Sequence, residues 1–323
     1  MTTSPETLYE NESQLHPTMR QRPSFRPFFI NAAPFLAFAA LEASCLAGPQ
    51  TVDSTATTET AASTRYGLFN LLDHRSSYGQ GVFPEPFLVD DSDLEPGEAR
   101  LDWLHSHTTG QQNDRIKGEI EQAFGVVTLE LEVPFERTAL LGQKASAGWD
   151  NIDIGARCPV YQYVSPGDSF DTTFGVAMEV GVPIDSTVSR NSEFVPKVFN
   201  DTKFGAFTLQ SILGYSVIAG PGEDGGLQTF EYSCVLGYTI PHEKLPIPGV
   251  LEVIPVCELI WEKPLNHANI HENGLTADAG VRVNLASIGP IQPRLGVSFV
   301  FPLNSTSRQD THWGIATSLV FQY

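Results

Sequence analysis

The chain has 323 residues, a formal charge of −19, 41% hydrophobic residues and a supply of 20 Phe, 9 Tyr and 4 Trp. That acidity excludes a basic nucleic-acid-binding face, and no run of about 18 apolar residues follows the N-terminal region, which argues against a helical membrane protein. The same composition suits a transmembrane β-barrel, in which only alternate strand residues need be apolar.

In chain order, Arg20, Arg22 and Arg26 precede an apolar stretch over 28–41 that ends in small residues. A basic flank, a short apolar core and small residues make a secretory signal, so residues 1–47 are expected to be a signal region cleaved after Ala47. Asn31 and Pro34 break the core and argue against a membrane anchor. Glu42 stands where a lipobox ending at Cys45 would want an aliphatic residue. Residues 1–18 are acidic and fit no signal, which makes Met19 a candidate for the true start. Residues 48–97 form a linker and pre-barrel segment. Its part over 49–65 is Ser/Thr-rich and low in hydrophobicity, the composition of a disordered stretch. Tyr66–Leu72 and Gly81–Val89 are apolar enough to dock, and the expectation is that they pack under or inside the periplasmic mouth of the barrel as a plug.

From residue 98 to 323 the chain is a succession of alternating segments separated by turn signals. They fall at 99–107, 115–124, 126–138, 149–163, 171–184, 193–203, 205–218, 226–241, 249–262, 274–286, 290–303 and 312–323. An even number of strands is what a single-chain bacterial barrel requires, so the fold class is all-β, an antiparallel up-and-down barrel of about twelve strands. The sixth segment, with Pro196 inside it, is the least regular. Pro134, Pro159, Pro255 and Pro293 also sit within expected strands, where each removes a ladder hydrogen bond. Gly125, Phe204 and Ser287–Gly289 mark tight connections on one side. Longer Gly-, Asn- and Asp-rich connections mark the other, as short periplasmic turns and long outer loops would.

Parity assigns faces. Leu129/Leu131/Val133/Phe135, Phe174/Val176/Met178, Tyr232/Cys234/Leu236 and Leu295/Val297/Phe299 form outward rows without charges, and a charge facing lipid costs about 2–4 kcal/mol near the midplane. Cys158, Cys234 and Cys257 share that parity and are expected to be unpaired, lipid-facing thiols. Inward rows carry Glu119, Glu121, Glu130, Glu132, Arg157, Glu179, Glu231, Glu258, Arg282 and Arg294. These are the candidates for a charged lumen that selects permeant solutes; the alternative is an ion-pair network filling a narrow barrel.

His105, His107, His267 and His271 invite a metal reading, but at strand ends or in loops they are expected to be solvated, with no metal or cofactor held. No GxSxG occurs, and no inward Ser has an inward His beside it except His312 at a strand end, so the expectation is that the chain is not an enzyme. Trp149, Tyr161, Tyr163, Trp261, Trp313 and Tyr323 stand near strand ends, where interfacial girdles belong. In the last segment Leu319, Phe321 and Tyr323 alternate with Ser318, Val320 and Gln322, and the chain stops on an aromatic. That pattern resembles the C-terminal assembly signal of bacterial outer-membrane barrels.

Gly148–Arg157, Phe207–Tyr215 and the Val-Phe-Gln-Tyr terminus together resemble a broad family of outer-membrane transporters named for the meta-cleavage pathway of phenol degradation. The resemblance spans roughly residues 98–323. It implies passage of small organic molecules through the outer membrane. With the connection lengths, which return both termini to the periplasm, the expectation is a Gram-negative outer-membrane barrel for passive passage of small solutes, aromatic or otherwise hydrophobic ones among them. Its partners would be outer-membrane lipids, the barrel-assembly machinery and the solute itself, with no nucleic acid. The alternatives are a plugged or structural barrel without transport and a secreted soluble all-β binding protein.

Overall fold

The computed structural model describes residues 82–92, 97–165, 169–266 and 273–323. The signal region, Met19, Cys45, the 49–65 linker, Tyr66–Leu72, His267 and His271 lie outside the described residues.

The strands run β1 (Gly97–Thr108), β2 (Gln111–Phe124), β3 (Val127–Leu140), β4 (Ser146–Trp149), β5 (Ile152–Val164), β6 (Phe170–Val182) and β7 (Ser192–Phe204). They continue as β8 (Phe207–Ala219), β9 (Gln228–Tyr238), β10 (Ile240–Pro241), β11 (Val250–Pro264), β12 (Gly274–Leu285) and β13 (Gln292–Pro302). A one-turn helix α1 (Ser307–Asp310) precedes β14 (Trp313–Gln322). All belong to one 14-stranded sheet in which neighbours in sequence are neighbours in space. β4 and β5 are two halves of one stave, as are β9 and β10, so the staves number twelve. The sheet closes where β1 pairs antiparallel with β14, from Glu98↔Gln322 to His107↔Trp313. Closure removes the free edges that hydrocarbon would not tolerate.

Both ends of the barrel chain lie on one rim, where the Tyr323 N–H donates to the Gly97 carbonyl at 2.9 Å. Two connections on that rim are two-residue turns opened by Gly125 (φ 67°) and Gly205 (φ 58°). A positive φ at the first turn position matches the twist of a hairpin and is open to glycine at no steric cost. The opposite rim carries longer connections, such as 183–191, 220–227 and 303–312, although the β1–β2 turn there is tight.

Each in-strand proline sits where the ladder already lapses. Pro134 faces the gap between β4 and β5, between the pairs Glu132↔Asp153 and Phe135↔Trp149. Pro159 abuts a register shift between β5 and β6. At Pro196 the β7–β8 ladder skips from Phe194↔Val217 to Lys197↔Gly214. Pro255 falls between the last β9 pair, Val256↔Gly237, and the first β10 pair, Val253↔Ile240. Pro293 precedes the β12–β13 ladder, which ends at Asn284↔Arg294. A residue without an N–H costs least at an unpaired position.

The molecule is inverted relative to a water-soluble protein. Leu129, Leu131, Phe174, Val176, Leu236, Leu295 and Phe299 are exposed on the outside, whereas Glu121, Glu258, Arg282 and Arg294 are buried inside. Cys158, Cys234 and Cys257 form no disulfide with one another and lie on the apolar exterior. Rings gather toward both rims, Phe207–Tyr238 (4.7 Å between centroids) and Tyr163–Phe170 (6.1 Å) near the chain termini, Phe135–Trp149 (5.2 Å) and Tyr215–Phe230 (6.0 Å) at the other end. The bilayer-facing belt with aromatic borders is that of an outer-membrane-type barrel.

Candidate functional site

The lumen has two unlike walls. Along β1, β2, β3 and β5 the inward rows are charged. Along β7, β8, β9, β11, β13 and β14 they include Phe199, Ile212, Val235, Ile254, Val256, Val300 and Ala316, an apolar cluster closed by Phe87 and Val89. Between the walls runs the segment 82–92, in which Phe83, Glu85, Phe87, Val89, Asp91 and Ser92 are all buried.

The segment is tied to the wall group by group. Near the terminal rim the Val82 N–H donates to Thr239 Oγ1 at 2.9 Å, and Lys203 Nζ lies 5.0 Å from the Phe83 ring centroid. Glu85 pairs with Arg294. The Pro86 carbonyl accepts from both Arg100 and Arg282. The Arg282 guanidinium also lies 3.9 Å over the Phe87 ring. One carboxylate, Glu258, accepts three successive backbone N–H groups, those of Phe87 at 2.5 Å, Leu88 at 2.9 Å and Val89 at 3.2 Å. Consecutive amides converging on one anion form the cradle known as a nest. Higher up, Asp90 pairs with Lys197. Burial works against the ionised Asp90, but the adjacent Lys197 ammonium outweighs it and holds this carboxyl below its ordinary range. Gln210 donates to Asp91 at 3.2 Å, and Ser92 Oγ donates to Asp201 at 2.5 Å.

Two glycines make room. A Cβ on Gly296 would stand 2.7 Å from the Phe87 ring, and one on Gly237 would stand 3.0 Å from Pro84.

The inward residues singled out in the sequence fall into three groups. Glu119, Glu121, Glu130, Glu132 and Arg157 come together on the charged wall. Lys117 bridges Glu119 (2.9 Å) and Glu132 (2.5 Å), while Arg157 joins Glu121, Glu130 and Asp91. Glu119, Glu130 and Glu132 present oxygens within 4.8 Å of one another, and Lys117 and Arg157 supply the positive charge at that point. Glu258, Arg282 and Arg294 form a second group around residues 85–89. Glu179 joins Lys197, whereas Glu231, opposite Glu262 on β11, stands apart from the ties to the segment. Arg100 and Lys197 complete the site and were not among the candidates. Parity alone exposes both, since Arg100 alternates with Leu101 and Lys197 with Val198, but Pro196 obscured the second strand.

His105 and His107 fall in the last four residues of β1. Both lie within β1 on the outward face, where His105 Nδ1 is 2.9 Å from Asp114 and the His107 ring stacks on Trp313 at 5.6 Å. Leu319 and Phe321 lie in β14, on the strand face opposite the buried Ser318 and Val320, and the Tyr323 ring caps Gly97, whose added Cβ would stand 2.7 Å from it.

No family model matches the sequence, and no curated protein does. Among solved structures, the chain is similar to an outer-membrane channel from Pseudomonas putida F1, with a TM-score of 0.49, 11% identity, and coverage of 75% of this chain and 100% of that one. The NanC porin gives a TM-score of 0.41 at 8% identity, covering 70% and 98% respectively. Outer membrane phospholipase A from Escherichia coli gives 0.36 at 10% identity, covering 69% and 90%. The last of these corrects the expectation that the chain is not an enzyme.

Proposed function

We propose that the protein is an outer-membrane channel for small solutes, whose lumen is occupied in this state by residues 82–92. The observation that carries this reading is the division of the lumen into an apolar wall and a charged wall. A barrel that only anchored would need polar satisfaction inside, whereas the apolar residues from Phe199 to Val300, on which Phe87 and Val89 pack, also offer an apolar solute a surface where the segment leaves it. A solute with an apolar body and a polar end finds both surfaces in one passage. Aromatic or otherwise hydrophobic solutes, the class implied by the resemblance to the phenol-pathway transporters, fit that division. Passage would be passive diffusion, and both termini would face the periplasm, with residues 82–92 entering from that side. The terminal aromatic would serve as the signal read by the assembly machinery.

A second reading, a barrel held shut, is favoured by the density of ties on residues 85–92. The two separate in planar bilayers. The channel reading expects small, infrequent steps from the full chain and larger, frequent steps after deletion of 82–92. A deletion variant that folds, shown by heat-modifiable migration, and still gives no steps sinks it. Liposome swelling with graded solutes then sizes the passage.

A further inference from the structure

Arg282 is 1% exposed, yet its Nε and Nη1 have no hydrogen-bond partner among the described residues. Its remaining nitrogen, Nη2, donates to the Pro86 carbonyl at 2.5 Å, and its flat face covers the Phe87 ring. A buried guanidinium that meets no protein acceptor at Nε or Nη1 is costly unless another acceptor reaches it. Nη2 carries a second hydrogen that lies parallel to the Nε–H, and a carboxylate answers that pair with two parallel bonds. The neighbours agree. Arg294 already holds a carboxylate, that of Glu85, and Arg100 shares the Pro86 carbonyl with Arg282.

Residues 85–87 therefore present a carboxylate, a carbonyl and an aromatic ring to three arginines and to the slot that Gly296 leaves open. We propose that this arginine cluster is a binding subsite for a small aromatic carboxylate, and that Glu85-Pro86-Phe87 occupies it as an internal stand-in. The ring of the ligand takes the place of Phe87 between Arg282 and Gly296, and its carboxylate takes the place of Glu85 or pairs with Nε and the second hydrogen of Nη2 on Arg282. Ligand and segment then compete, so solute arrival itself loosens residues 82–92. The proposal rests on the channel reading and narrows its solute to acids with a ring.

Benzoate and its neutral analogue benzyl alcohol test it, by calorimetric titration of the detergent-solubilised full chain. Benzoate is expected to bind, with benzyl alcohol weaker by roughly tenfold or more. Arg282→Lys keeps the charge but loses the planar fork and the ring stacking, and it should weaken benzoate by a similar factor. Phe87→Ala vacates the slot and should tighten benzoate several-fold. Equal binding of the two probes, or an unchanged affinity in both variants, overturns the proposal. Should Arg282→Lys fail to show heat-modifiable migration, the wild-type probe pair and Phe87→Ala decide alone. Binding without bilayer conductance would sink the channel reading and leave the subsite. Conductance without binding would do the reverse.

Discussion

Glu258 shows how one side chain can hold a segment distant in sequence. Its carboxylate accepts from the amides of Phe87, Leu88 and Val89, some 170 positions earlier in the chain. Hydrogen bonds to a charged group contribute about 1.5–3 kcal/mol each, so Glu258 outweighs any single surface contact. In Glu258→Gln one oxygen becomes an NH2 that faces amide donors instead of accepting from them. The segment should loosen, with a higher open probability in bilayer recordings and a thermal midpoint lower by several degrees; unchanged gating would refute the latch. Gly175 makes the opposite point, because the ring of Phe199 occupies the space a side chain would need, with an added Cβ only 2.0 Å from its tip. Gly175→Val must push Phe199 off the apolar wall, at about 1–3 kcal/mol, measurable as a lower unfolding temperature. Alternation made Glu258 legible as inward. Its partner was not legible, since nothing local in Phe87-Leu88-Val89 distinguishes amides aimed at a carboxylate from amides in any docked loop.

Strands were the legible level of this fold. Each apolar–polar alternation from residue 98 onward corresponds to a stave, because lipid on one side and a packed lumen on the other impose the period on every strand. Prolines resisted local reading for a physical reason: whether a missing N–H matters depends on the facing strand, and the gaps opposite Pro134 and Pro255 appear only once register is known. The weak segment over 193–203 is a full strand, because β6 pairs with it continuously through Pro196 while only the β8 side lapses. At the closing seam β14 joins β1 over ten residue pairs, and the ring of Tyr323 covers Gly97. Replacing Phe321 and Tyr323 with Ser removes outward apolar area where the last strand must meet the first. The variant should yield less heat-modifiable protein in the outer membrane without altering the conductance of the fraction that assembles. Wild-type yield would remove these residues from assembly.

On the scale of the whole molecule, the exterior is an apolar belt and the interior a balance of charges between wall and segment. The belt predicts that Leu131→Arg, 43% exposed on the outward face in wild type, costs about 2–4 kcal/mol if near the bilayer midplane, read as a lower denaturant midpoint in lipid vesicles; tolerance there would argue against a lipid-facing surface. The interior predicts a change of selectivity. Residues 82–92 bring Glu85, Asp90 and Asp91 to Arg294, Lys197 and Arg157, so the segment supplies three of the carboxylates that neutralise the wall. Removing it leaves those cations facing the passage, with Glu121, Glu130 and Glu179 offsetting only Arg157 and Lys197. Arg294 and Arg282 then line the terminal end of the lumen, whereas Asp102 (2.7 Å) and Glu119 (3.8 Å) still offset Arg100. Charges lining a narrow pore set the sign of the ion that enters, and salt screens them over about 8 Å at physiological ionic strength. Reversal potentials under a KCl gradient should therefore move toward chloride in the 82–92 deletion relative to the full chain, and the move should shrink as salt rises. A shift toward potassium would mean that the acidic wall, and not the segment it shares its cations with, governs what passes.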